Sequence, residues 1–245
     1  MTMLLPALAT LVPLILAAPL RAQIPDTFTN LQVLPTDVSR DSLIGVMRRF
    51  SFALGVRCQY CHVGGDGVSF EGVRFADDDD EDKRKARYML RMVRTLNDTL
   101  LAGLPDRDRP PRTVDCVTCH GGLPRPTTLE QTLAETIERD GADSAVAHYR
   151  RLREAYYGSA AFDFTPQRLM ELARTLAFSN RAADGIRMLE LNAEMHPRHA
   201  PTWHQLAETH LFTADTARAI AALGKVLELQ PQNAEARRRL EQIRR

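Results

Sequence analysis

Residues 58–65 read CQYCHVGG and residues 116–122 read CVTCHGG. Each opens with Cys-x-x-Cys-His, and together they use Cys58, Cys61, Cys116 and Cys119, all 4 cysteines of the chain. Two thiols three residues apart suit the two vinyl groups of one porphyrin, and the next histidine is then held against the iron as an axial ligand. The motifs therefore predict two covalently bound c-type haems. One takes Cys58 and Cys61 with His62 as iron ligand, the other Cys116 and Cys119 with His120. A zinc ion shared by the two thiol pairs, or a disulfide within each, would leave both histidines unexplained.

The segments ahead of each motif read as helices. Before the first, Ser39 is a capping residue, Leu43, Met47, Phe50 and Leu54 recur at helical spacing, and Gly55 marks the stop. Met47, 11 residues before Cys58, is a candidate sixth ligand for the first iron. It also belongs to the apolar stripe, and spacing alone leaves ligand and core filler both open.

A second helix begins in DDDDEDKRKARYML, where the carboxylates of Asp77 to Asp82 suit the positive end of a helix dipole. Its stripe of Ala86, Val93, Leu96 and Leu100 nearly includes Met89 and leaves Met92 at the edge. Met89 is thus the candidate ligand for the second iron and Met92 the alternative. His148, His196, His199, His204 and His210 lie further on, where surface or packing roles suffice.

The C-terminal half is amphipathic helix with short breaks. Pro197 and Pro231 are 34 residues apart, the length of a tetratricopeptide unit. Counting back from Pro231, Trp203, Leu206, Ala207, Ala219 and Leu223 fall at packing positions of such a unit. The same places before Pro197 hold Leu169, Leu172, Ala173, Gly185 and Leu189. NAEARRRLEQIRR then reads as a capping helix.

At the other end, Leu4 to Leu20 is an uncharged apolar run containing Pro6, Pro13 and Pro19, followed by Arg21 and Ala22. It reads as an export signal cut after Ala22, with a retained anchor as the alternative. The organisation expected is a signal at 1–22, a dihaem cytochrome c domain at 23–126, a helical connector at 127–160 and tetratricopeptide-like repeats at 161–245. The fold class is mainly α. A formal net charge of +1 gives no electrostatic footprint for nucleic acid.

NLQVLPTDVSRDSLIGVMRRFSFALGVRCQYCHVG and ARYMLRMVRTLN, followed later by VDCVTCHGG, together resemble the cytochrome c subunit of photosynthetic reaction centres. The resemblance covers about residues 28 to 125, one half of such a subunit. It implies that each haem lies along the helix preceding its attachment motif and that methionines on those helices are sixth ligands. On that basis Met47 is assigned to the first iron and Met89, the first methionine of YMLRM, to the second. Three departures stand out. There are two attachment motifs rather than four, LLAGLPD lacks the histidine that a family half gives to another haem, and CHGG replaces a basic residue after the second histidine.

Histidine–methionine ligation fills both axial positions, which favours electron transfer over reaction on a bound substrate. The expected partner is a redox protein or a membrane electron-transfer complex in the periplasm, with the repeats as a docking surface. If Met47 or Met89 is only core, one iron is open, and a haem peroxidase or ligand-sensing cytochrome is the alternative.

Overall fold

The computed structural model describes residues 24–105 and 112–244. The leader expected at 1–22 lies outside the described residues. Among them the secondary structure is helical, and the single β feature is an isolated antiparallel bridge between Gly64 and Val73. The chain divides into two compact units: Met1–Ile44 with Arg57–Met92, and Gly45–Val56 with Val93–Arg245.

Helix α1 spans Arg40–Leu54. The Ser39 hydroxyl accepts from the Ser42 amide at 3.3 Å, as the sequence predicts for a cap. Its end is a Schellman motif: Val56 N–H donates to Ser51 O at 3.0 Å, Gly55 N–H to Phe52 O at 3.4 Å, and Gly55 takes φ +68°. Leu43 on its stripe is buried.

In the first unit the chain after α1 makes a 3-10 turn at Cys58–Tyr60, loops, and enters α2, Glu81–Thr95. Asp78, just ahead of α2, gathers the unit. Its carboxylate accepts from Arg87 at 2.8 Å, Asn30 at 2.9 Å, Gln32 at 3.1 Å and Lys83 at 3.2 Å. The acidic run is thus an internal clamp between the pre-α1 segment and α2 as well as a helix-dipole partner. A π turn, Leu96–Leu101, prolongs α2.

The second unit holds the short helix α3, Cys116–His120, and seven longer helices. These are α4 Leu129–Asp140, α5 Ala142–Tyr156, α6 Pro166–Phe178, α7 Ala182–Met195, α8 Ala200–Phe212, α9 Thr216–Leu229 and α10 Ala234–Ile243. Helices α4 to α9 form three consecutive hairpins, and α10 closes the stack against α9. The region read as a connector, 127–160, holds the first hairpin.

The 34-residue register is reproduced in packing. Leu172 and Leu206, Ala173 and Ala207, Gly185 and Ala219, and Leu189 and Leu223 are all buried pairs. Small residues are required where helices meet closely: a Cβ on Gly185 would stand 2.8 Å from Ala173 O. The caps repeat too. Arg181 N–H donates to Leu176 O at 2.9 Å and Asp215 N–H to His210 O at 2.8 Å. Asn180 and Ala214, 34 residues apart, both take left-handed φ near 60° at the same point of these caps. Burying a leucine side chain such as Leu189 or Leu223 contributes about 1.5–3 kcal/mol.

Candidate haem sites

The first attachment motif sits on the 3-10 turn. Cys61 N–H and His62 N–H both donate to Cys58 O, at 3.2 and 3.1 Å. A turn of three residues brings positions i and i+3 to one side, so Cys58 and Cys61 share a face. Burial pushes the Cys61 thiol up to about 11, with Asp80 and Asp82 adding to the effect. The group is therefore held as a neutral thiol.

His62 is half-buried, with the Phe75 ring centroid 5.0 Å from its own. Burial lowers its pKa first, and the Lys83 ammonium adds to that. The Phe75 carbonyl, which accepts from Lys83 Nζ at 2.9 Å, opposes the shift, as does Asp80. The ring is thus biased to the neutral form that a metal ligand requires. Its Nδ1 is buried without a hydrogen-bond partner.

The second motif is α3, and its start is fixed by a capping box. Asp115 Oδ1 accepts from Thr118 N–H at 3.1 Å while Thr118 Oγ1 accepts from Asp115 N–H at 3.1 Å. One residue earlier, Asn97 of the π turn brackets Val114: Asn97 Nδ2 donates to Val114 O and Val114 N–H donates to Asn97 Oδ1, both at 2.8 Å. Cys116 and Cys119 are three residues apart on one helical turn and so share a face. Burial, then the Asp115 charge, raises the Cys116 pKa.

His120 ends α3 and is 9% exposed. Its Nδ1 lies 2.8 Å from Leu123 O. A carbonyl only accepts, so Nδ1 carries the hydrogen and Nε2 is the nitrogen left to bind. An imidazole that ligates a metal through one nitrogen is commonly anchored through the other in this way.

Gly121 caps the helix at φ +56°, and a Cβ there would stand 2.7 Å from Ala160 O. Gly122, at φ +101°, donates its N–H to Ala53 O at 2.9 Å. The two glycines after the motif are thus a backbone requirement.

All four cysteines are free thiols. Among the described residues no group of three or more His, Cys, Asp or Glu side chains is assembled for a metal ion. Met47 lies half-buried in mid-α1, Met89 half-buried in mid-α2, and Met92 is 37% exposed. Met47 belongs to the compact unit that carries His120, and Met89 to the unit that carries His62. Although α2 has a strong apolar stripe, none of its residues is buried; Ala86, Met89, Leu90 and Val93 are all half-exposed.

Sequence reasoning missed Asn97, Gly121, Gly122 and Leu123 as supports of the second site. The D-x-x-T formed by Asp115 and Thr118, which overlaps CVTCH, and the glycine pair behind it were the available signals.

Residues 22–140 match the family described as photosynthetic reaction centre cytochrome C subunit. The match covers just under half of the chain. Part of the chain is 37% identical over 102 residues to cytochrome c-554 of Chloroflexus aurantiacus, covering 42% of this chain and 22% of that protein. It is 32% identical over 117 residues to the photosynthetic reaction center cytochrome c subunit of Rubrivivax gelatinosus, covering 40% of this chain and 30% of that one. The chain therefore spans less than a third of the length of these curated relatives.

Among solved structures, tetratricopeptide domains are similar to part of the chain. The first such domain of Spaghetti is 17% identical and covers 47% of this chain and 87% of its own, at a TM-score of 0.33. The Sgt2 domain of Aspergillus fumigatus is 20% identical and covers 47% and 74%, at 0.32. The hairpin stack, with its buried 34-residue register, is what establishes the repeat fold here.

A c-type cytochrome carries haem covalently, and the residues present fit it. Each motif supplies two free thiols on one face, and His120 has a fixed tautomer with Nε2 left to bind.

Proposed function

We propose that the chain is an exported dihaem c-type cytochrome that passes electrons between redox partners. When bound, haem supplies one-electron chemistry by cycling its iron between two oxidation states. Cys58 and Cys61 would hold one group through thioether bonds with His62 as axial ligand. Cys116 and Cys119 would hold the other with His120. Met47 and Met89 would close the sixth positions, and their neutral thioethers favour the reduced state relative to a second imidazole. A closed coordination sphere leaves substrate no place to bind, so the chain's residues hold, orient and shield rather than catalyse.

The observation that carries this reading is His120. A buried imidazole one residue beyond Cys-x-x-Cys, donating through Nδ1 to Leu123 O at 2.8 Å, leaves Nε2 to bind an iron. The family match supports the reading, as do the four unpaired thiols. The hairpin stack would dock the redox partner or membrane complex, as helical repeats do. No helix among the described residues is long and apolar enough to cross a membrane. Periplasmic placement therefore rests on the leader and on the chemistry of c-type attachment.

The test is a haem count and redox titration on protein matured in the periplasm. Two haems per chain, the oxidised-state band of methionine–iron ligation and slow binding of carbon monoxide by the reduced form are expected. Colourless protein, or one pigment per chain, would refute the proposal. Rapid carbon monoxide binding would transfer it to the open-site alternative.

A further inference from the structure

We infer that the helical-repeat half is itself part of the second haem site, with Leu123 as the positioning residue for His120. The inference rests on the haem reading above but concerns which part of the chain holds the ring.

Leu123 has two ends with different duties. Its carbonyl accepts from His120 Nδ1 at 2.8 Å, and its own N–H donates back to His120 O at 2.9 Å. Its side chain is 8% exposed and belongs to the continuous core of the hairpin stack, together with Phe162, Phe164, Leu129 and Leu133. The residues between are equally constrained. Gly121 lies against the backbone of Ala160, on the loop that joins α5 to α6, so closely that a Cβ would come within 2.7 Å of the Ala160 oxygen. Gly122 N–H is tied to Ala53 O near the end of α1. The carbonyl that sets the ring's tautomer is therefore held by the repeats through a leucine anchor and a glycine contact.

A hydrogen bond from Nδ1–H to a carbonyl raises the basicity of Nε2 and strengthens its donation to an oxidised metal. Loosening Leu123 weakens that bond and raises the potential of the second haem. The first haem, whose histidine is in the other compact unit, keeps its own. A leucine that merely fills the core would alter stability and neither potential.

The test compares Leu123→Ala with Leu123→Met in the full dihaem protein. Two readouts are used: resolved midpoint potentials, and solvent exchange of the His120 Nδ1–H followed by proton NMR in the reduced, diamagnetic state. Leu123→Ala should raise one midpoint, leave the other in place, and speed the ring exchange about tenfold, the factor expected for losing one buried hydrogen bond. Leu123→Met, which nearly conserves volume, should restore both. Unchanged midpoints and exchange in folded Leu123→Ala would overturn the inference.

Should Leu123→Ala fail to accumulate, the unaltered chain decides. The ring N–H should become exchangeable at the same denaturant concentration as the Leu189 amide in the hairpin core, and earlier release would overturn the inference. That measurement needs no haem. Colourless protein with a protected ring would therefore sink the haem reading alone.

Discussion

Gly55→Ala probes the joint between α1 and the second motif. Gly55 has φ +68°, where an L side chain costs about 1–2 kcal/mol. An added Cβ would also stand 2.2 Å from Gly122 O, a backbone atom that cannot rotate away. Relieving that overlap requires the α1 end and the 121–123 loop to part. The Gly122 N–H to Ala53 O bond at 2.9 Å is then lost, at about 1 kcal/mol. The sum is about 2–3 kcal/mol, or a fall of about 4–12 °C in unfolding midpoint for a unit of this size.

Gly158→Ala is the control. It has φ +82° and nothing within 4 Å of its Cβ, so it meets the conformational cost alone. Thermal unfolding followed by circular dichroism of both variants is the assay. If Gly55→Ala is no less stable than Gly158→Ala, the close approach does not exist and the account of the joint is wrong.

Three further outcomes are expected. Met89→Ala should remove one methionine–iron band and open that haem to carbon monoxide, whereas Met92→Ala at the more exposed position should do neither, as read by absorption spectroscopy. The first unit should be acid-sensitive through Asp78, whose pKa is depressed by hydrogen bonds from Arg87 first, then Asn30. A depressed carboxyl stabilises above its unfolded pKa of about 4 and loses that contribution as pH falls through the lower folded value; Asp78→Asn should flatten this arm of the acid-unfolding curve. Ala214→Gly should stabilise the stack by about 0.5–1 kcal/mol in a denaturant melt, because Ala214 already takes φ +60° at a cap position that glycine fills without strain.

What could be read from the sequence was local or strictly periodic. The 3.6-residue stripe with Ser39 and Gly55 located α1, and identical 34-residue spacing located α6 to α9 and their buried residues. The first hairpin escaped for a physical reason. Leu133 and Ile137 lie 36 residues before Leu169 and Ala173, and Ala145 and Tyr149 lie 40 before Gly185 and Leu189. The longer α5–α6 loop, which sends Phe162 and Phe164 into the core, breaks the period.

The acidic run was read as dipole chemistry, and that is half of its role. Its clamp on Asn30 and Gln32 joins segments too far apart in the chain for spacing to report. The two Cys-x-x-Cys-His motifs were plain in the sequence. The support of His120 was not, because the carbonyl of Leu123 carries no sequence signal and its place is fixed by residues far along the chain.

The stack can be lengthened in one direction only. Successive pairs from α6 onward meet across the same geometry, so a duplicated 34-residue module inserted after Ala214 would find matching surfaces above and below it. The opposite end offers no such freedom: the loop through Ala160 is already occupied by Gly121. Lineages that vary the number of modules should therefore add or lose them distally, while the pair nearest Gly121 stays single.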